Sequence, residues 1–72
     1  MNKAFNQKVA LNIKKYRKMR GLRQLNVAVD ANIGLFTFAL FESARSDITL
    51  AKFVAIAEAL KVEPWQLLKF DE

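Results

Sequence analysis

The sequence contains no cysteine and no histidine, and it has only two glycines and one proline. Without cysteine there is no disulfide or thiolate-metal framework, so packing alone must hold the fold. The same absence suits a reducing cytosol. Without histidine, a His-activated Ser or Cys nucleophile is excluded, and so is an ordinary zinc site. Serine and threonine are confined to Thr37, Ser43, Ser46 and Thr49, and no glycine-rich phosphate loop is present. The acidic residues Asp30, Glu42, Asp47, Glu58, Glu63, Asp71 and Glu72 are scattered rather than paired. These absences argue against an enzyme and against a metal, a cofactor or a small-molecule substrate. The first residues lack the apolar stretch of a signal peptide. The most apolar run, Ile33 to Phe41, falls short of the ~20 residues that cross a bilayer. The expectation is a soluble cytoplasmic protein with no membrane partner.

What is present is apolar and basic. Hydrophobic residues make up 53% of 72 positions, enough for the core of one domain spanning 1–72. Net charge is +5 and unevenly placed. Lys3, Lys8, Lys14, Lys15, Arg17, Lys18, Arg20 and Arg23 occur without a single acidic residue between them. Such a segment suits phosphate or an acidic protein surface, although a solvated helix face accounts equally well for any one lysine.

The periodicity is helical throughout. Phe5, Val9, Ile13 and Tyr16 make Phe5–Arg20 an amphipathic first helix, and Gly21 stands where a left-handed C-terminal cap belongs. A second helix runs from about Gln24 to Ala31 with Val27, Ala28 and Ala31 as its buried stripe. Asn32 is suited to end it. Gly34 is an acceptable N-cap for a third helix, roughly Leu35–Ser43. Ala44 to Asp47 is a short polar loop. Thr49 caps a fourth helix with Leu50, Phe53, Ile56, Ala57 and Leu60 on one face. Glu63-Pro64 opens a last short helix whose apolar contacts are Trp65, Leu67 and Leu68. The fold class is therefore all-α, with five helices and no strand alternation, repeat or linker.

Ile13, Tyr16, Arg17, Gly21-Leu22, Gln24, Val27-Ala28, Ala31, Ile33, Phe38, Phe41-Glu42, Leu50, Ala57, Leu60, Val62 and Leu67-Leu68 give the chain a recognisable pattern. It resembles the lambda-repressor-like helix-turn-helix family, the Cro or XRE type, over nearly its whole length. The resemblance implies a partly buried pair between Arg17 and Glu42. It also implies a second helix that begins on the DNA backbone and a third that lies in the major groove. In that frame Arg20, Arg23, Gln24, Thr37 and Arg45 are candidate phosphate contacts. Arg23 stands where relatives carry a Ser or Thr cap.

The third helix departs from the family. Its base-facing positions are Gly34, Leu35, Phe36, Thr37, Ala39 and Leu40, and only Thr37 carries a donor or acceptor of the kind base reading needs. On the second helix Leu25 and Val29 occupy places usually charged. Leu25, Val29, Leu35, Phe36 and Leu40 would then form an exposed apolar patch beside Arg23, which normally marks a protein interface. The alternative is that some of them are core in a rearranged packing.

Two functions stay open at this point. One is a phage antirepressor that masks the DNA-binding surface of a partner repressor through helices 2 and 3. Short antirepressors of the modulator-of-repression type are similar in size, in the basic first helix, and in the ending Trp65 to Glu72. The other is a Cro-like repressor that binds operator DNA as a dimer. A mixed case, with weak DNA binding beside a bound repressor, and a self-associating module complete the set.

Overall fold

The computed structural model describes residues 2–70, so Met1, Asp71 and Glu72 lie outside the described residues, and with them the last two positions of the Trp65–Glu72 ending. It has four α-helices, α1 (Lys3–Met19), α2 (Gln24–Asp30), α3 (Leu35–Glu42) and α4 (Leu50–Ala59), followed by a 3₁₀ helix at Pro64–Leu68. Of the five helices expected, four are α-helices and the last is a 3₁₀ helix. Pro64 sets the first position as expected, but the helix is only five residues long and has 3₁₀ geometry, the form short terminal pieces adopt.

Each boundary has a local cause. Asn2 accepts from the Phe5 backbone N–H at 3.1 Å, so α1 starts two residues earlier than the apolar spacing indicates. Thr49 accepts from the Lys52 N–H at 3.3 Å and starts α4. Arg23 begins α2 with no acceptor to offer, and its own N–H is instead taken by the Asn26 side chain at 2.9 Å.

All four α-helices end in the same way. Gly21, Asn32, Ala44 and Lys61 have φ of 66°, 57°, 60° and 61°. At each of them the chain closes with a paired 5→2 and 6→1 hydrogen bond. In α1 these run from Gly21 N–H to Lys18 C=O (3.0 Å) and from Leu22 N–H to Arg17 C=O (3.0 Å). Leu22, Ile33 and Val62, the residues after three of these caps, pack on the core, the hydrophobic contact that accompanies this motif. After the third cap stands Arg45, exposed to solvent.

The core is built around Phe38, Ile13, Ile56, Leu60, Leu67 and Val27, all fully buried. Each such side chain contributes about 1.5–3 kcal/mol relative to exposure. α1 packs on α3 and the 3₁₀ helix, α2 on α3 and α4, and α4 on the 3₁₀ helix. Asn12 ties the C-terminal segment to α1 by donating to the carbonyls of Leu67 (2.9 Å) and Lys69 (3.1 Å). Several apolar residues expected inside lie at the surface instead: Leu50, Trp65 and Leu68 are exposed, and Phe5 is partly so. Among the described residues, these side chains lie on the solvent-facing sides of α1, α4 and the 3₁₀ helix. Among the described residues, no single helix is long and apolar enough to cross a membrane.

Candidate interface of helices 2 and 3

α2 and α3 meet at a bend of 114°, within the range of a helix-turn-helix. Asn32 supplies the left-handed residue in the break and Gly34 is the N-cap of α3. The bend presents the first turn of α3 outward while Phe38 and Phe41 stay in the core.

Glu42 anchors this geometry from below. It is the buried charged residue, and it receives Arg17 Nε on Oε2 and Arg17 Nη2 on Oε1, both at 2.8 Å. The two side chains retain 11% and 3% of their exposure. Arg17 Nη1 also donates to the Leu22 carbonyl at 2.9 Å. The guanidinium pKa is raised further, chiefly by its hydrogen bond to Glu42 and against the opposing effect of burial. One bidentate pair therefore joins α1, the α1–α2 turn and the end of α3.

Gln24, expected on DNA phosphate, is directed elsewhere in this structure. It is half-buried, and its Nε2 donates to Glu42 Oε1 at 3.2 Å. A glutamine at the first position of α2 reaches the carboxylate that ends α3, so it completes the anchor rather than projecting outward. Arg20 is exposed, with its Nη2 donating to the Lys61 carbonyl at 3.0 Å. Arg23 and Arg45 are exposed and Thr37 is half-buried.

The apolar residues divide unequally. Leu25 is 54% exposed, Val29 67%, Leu35 46% and Phe36 76%. Leu25 and Val29 are four residues apart and share one ridge of α2, and Leu35 and Phe36 form the start of α3. Leu40, expected in the same patch, is half-buried. It sits one turn further along α3, between the buried Phe38 and Phe41. The patch therefore rests on four side chains. No donor or acceptor apart from Thr37 accompanies it along the first turns of α3.

Two features escaped the sequence. The Asn6 side chain donates to Asp47, joining α1 to the loop before α4, and this bond is the main reason the Asp47 carboxyl is held below its usual pKa. A shallow apolar groove of about 280 Å³ is lined by Phe5, Val9, Ile48, Leu50, Phe53 and Leu68. Neither follows any periodicity; both arise where distant segments converge. Among the described residues no group of His, Cys, Asp or Glu is placed to hold a metal ion.

The arrangement is a helix-turn-helix fold of the lambda-repressor-like kind, so the resemblance seen in the sequence holds at the level of fold. No family model and no curated protein matches the chain. Among solved structures it is similar to the restriction-modification controller protein C.AhdI from Aeromonas hydrophila. The TM-score is 0.86, sequence identity is 23%, and the match covers 89% of this chain and 97% of that one.

Proposed function

We propose that this chain is a small transcriptional regulator that acts by gripping another protein through α2 and α3. The partner is a phage-type repressor whose own DNA-binding surface becomes covered, which makes the chain an antirepressor. The observation that carries this reading is the exposure of Leu25, Val29, Leu35 and Phe36 on the two helices that would otherwise meet DNA. An outward apolar patch with basic residues nearby fits a protein interface, whose energy concentrates in a few large side chains. Phe36 is the central anchor, flanked by Leu35, Leu25 and Val29, with Leu40 contributing the part of its surface that remains open. Arg23, Arg20, Lys18 and Arg45 steer association with an acidic surface, an effect that weakens with salt.

The second reading is a Cro-like repressor bound to operator DNA as a dimer. It is favoured by the likeness in fold to a restriction-modification controller protein. Exposed Arg23 and Arg45 would then contact phosphate together with Arg20 and Thr37, while Leu35 and Phe36 would touch thymine methyls. Gln24 could join them only by leaving Glu42.

A titration of operator DNA separates the two. The chain is added at low and at physiological salt, alone and together with the repressor encoded beside it. The antirepressor reading expects no site-specific binding by the chain alone and loss of the repressor's DNA complex on mixing. Tight, site-specific binding by the chain alone would overturn it in favour of the Cro-like reading.

A further inference from the structure

Apart from Lys18, the outward face of α1 is not used by either reading. Spacing of i, i+4, i+11 and i+15 places Lys3, Gln7, Lys14 and Lys18 on one ridge of that helix. All four are exposed, and Lys8 and Lys15 flank the ridge. Another side of α1, with Val9, Ala10 and Ile13, is buried in the domain. No acidic residue lies anywhere on this helix or in the turn that follows it. A groove lined by Gln7, Ala10, Leu11, Ser43, Ala44 and Glu42, whose charge is paired with Arg17, connects the ridge to the α3–α4 turn, where the next residue is the exposed Arg45.

We infer that this ridge is a second interaction surface, which binds the phosphate backbone of double-stranded DNA without reading sequence. From Lys3 to Lys18 the rise of an α-helix gives a straight row about 22 Å long. A duplex carries about 13 phosphate charges over that length, counted around both strands, so a row of three lysines can meet those on the facing side. An anionic membrane is a poorer fit. A helix lying on lipid needs an apolar face to insert, and that side of α1 is committed to the core, leaving Phe5, Leu11 and Met19 as exposed residues spread along the helix. The ridge shares no residue with the apolar patch of α2 and α3, so one chain can hold a protein on the patch and DNA on α1. The inference does not rest on the antirepressor reading, because it is tested without any partner.

The test is fluorescence anisotropy of the full chain with labelled short duplexes of two unrelated sequences. Both duplexes bind alike. With Lys3, Lys14 and Lys18 as the contacts, raising salt from about 50 to about 200 mM weakens binding roughly 40-fold. The triple variant Lys3→Gln/Lys14→Gln/Lys18→Gln keeps its helical circular dichroism and loses most of the affinity and of the salt slope. The corresponding triple Lys→Arg variant and Phe36→Ala both bind as the wild type does. The inference is overturned if the chain binds neither duplex at the lower salt, or if the triple Gln variant retains wild-type binding. It is also overturned if Phe36→Ala rather than the lysine changes abolishes binding, or if vesicles containing anionic lipid are bound and duplexes are not.

Discussion

Replacing Phe36 with Ala tests whether the outward face of α3 is an interface or displaced core. The Phe36 side chain is 76% exposed, whereas Phe38, two residues on, is fully buried. In the isolated chain Phe36→Ala removes little packing, and Ala favours the helix. Stability should change by no more than about 0.5 kcal/mol, or about 2–4 °C in melting temperature for a domain of this size. Phe38→Ala leaves a cavity and costs about 3–5 kcal/mol. A 72-residue chain has about 4–11 kcal/mol in total, so that variant serves as a positive control for core loss. In a complex, the open three-quarters of the Phe36 ring corresponds to about 1–2 kcal/mol of apolar burial. Its removal should raise Kd at least about 5- to 30-fold. Urea denaturation supplies the first number and titration with the partner repressor supplies the second. A Phe36→Ala variant as unstable as Phe38→Ala would show that Phe36 is core. A stable variant with unchanged affinity would refute the patch as the gripping surface.

Glu42→Ala should cost about 3–5 kcal/mol in urea denaturation, because it strands Arg17 in a mostly buried site. Arg17→Met/Glu42→Leu should recover much of that loss, and a cost under about 1 kcal/mol for Glu42→Ala would mean the pair behaves as a surface ion pair. Ala44 holds φ of 60°, where a residue with a Cβ is strained by about 1–2 kcal/mol. Ala44→Gly should therefore raise stability by about 0.5–1 kcal/mol after the entropy that glycine adds to the unfolded chain, and a lower melting temperature would refute the strain. Asp47 has a lowered pKa through the Asn6 hydrogen bond, so its contribution is present above the ordinary carboxylate range and lost as pH falls through the folded-state value. Melting temperatures of wild type and Asp47→Asn should thus differ near neutrality and converge in acid, and a gap that widens on acidification would reverse the assigned sign.

The helices were legible because their punctuation is local. Gly21, Asn32, Thr49 and Pro64 each carry a backbone preference that acts within one turn, and each lies at an observed boundary. Ala44 and Lys61 adopt the same left-handed geometry as Gly21 without any residue preference for it, so closure of the hydrogen-bonded cap overrides their intrinsic cost. The pair of Arg17 with Glu42 was implied by resemblance and not by any spacing, since 25 residues separate them. Gln24 illustrates the limit of that method. Resemblance placed it on phosphate, but it reaches a buried carboxylate whose position depends on how α3 ends. Leu40 and Leu50 show the complementary limit. Periodicity identifies a helix face, but whether a given turn of that face is covered depends on which neighbour extends over it.

α3 places its anchoring residues and its exposed apolar residues on different sides, and the proposed function rests on that separation. Phe38, Phe41 and Glu42 fix the helix to the domain. Phe36 faces outward and contributes little to holding it there, and Leu35 is about half open to solvent. Substitutions on the outward side are therefore nearly neutral for folding while changing what the helix can recognise. Base reading gains about 1–3 kcal/mol from each well-placed bidentate donor–acceptor pair, and this face, with only Thr37 to offer, has no side chain able to form one. Apolar burial supplies a comparable energy per large side chain, but it requires a dry, shaped counterpart rather than the wet edges of a base pair. A scaffold that keeps the bend, the anchor and the caps while carrying apolar side chains on this surface retains the fold and changes only the chemistry its surface offers, which is the basis of the proposed protein-binding role. Lysines on α1 remain suited to phosphate because a charged row needs no such complementarity, only length and the absence of carboxylates.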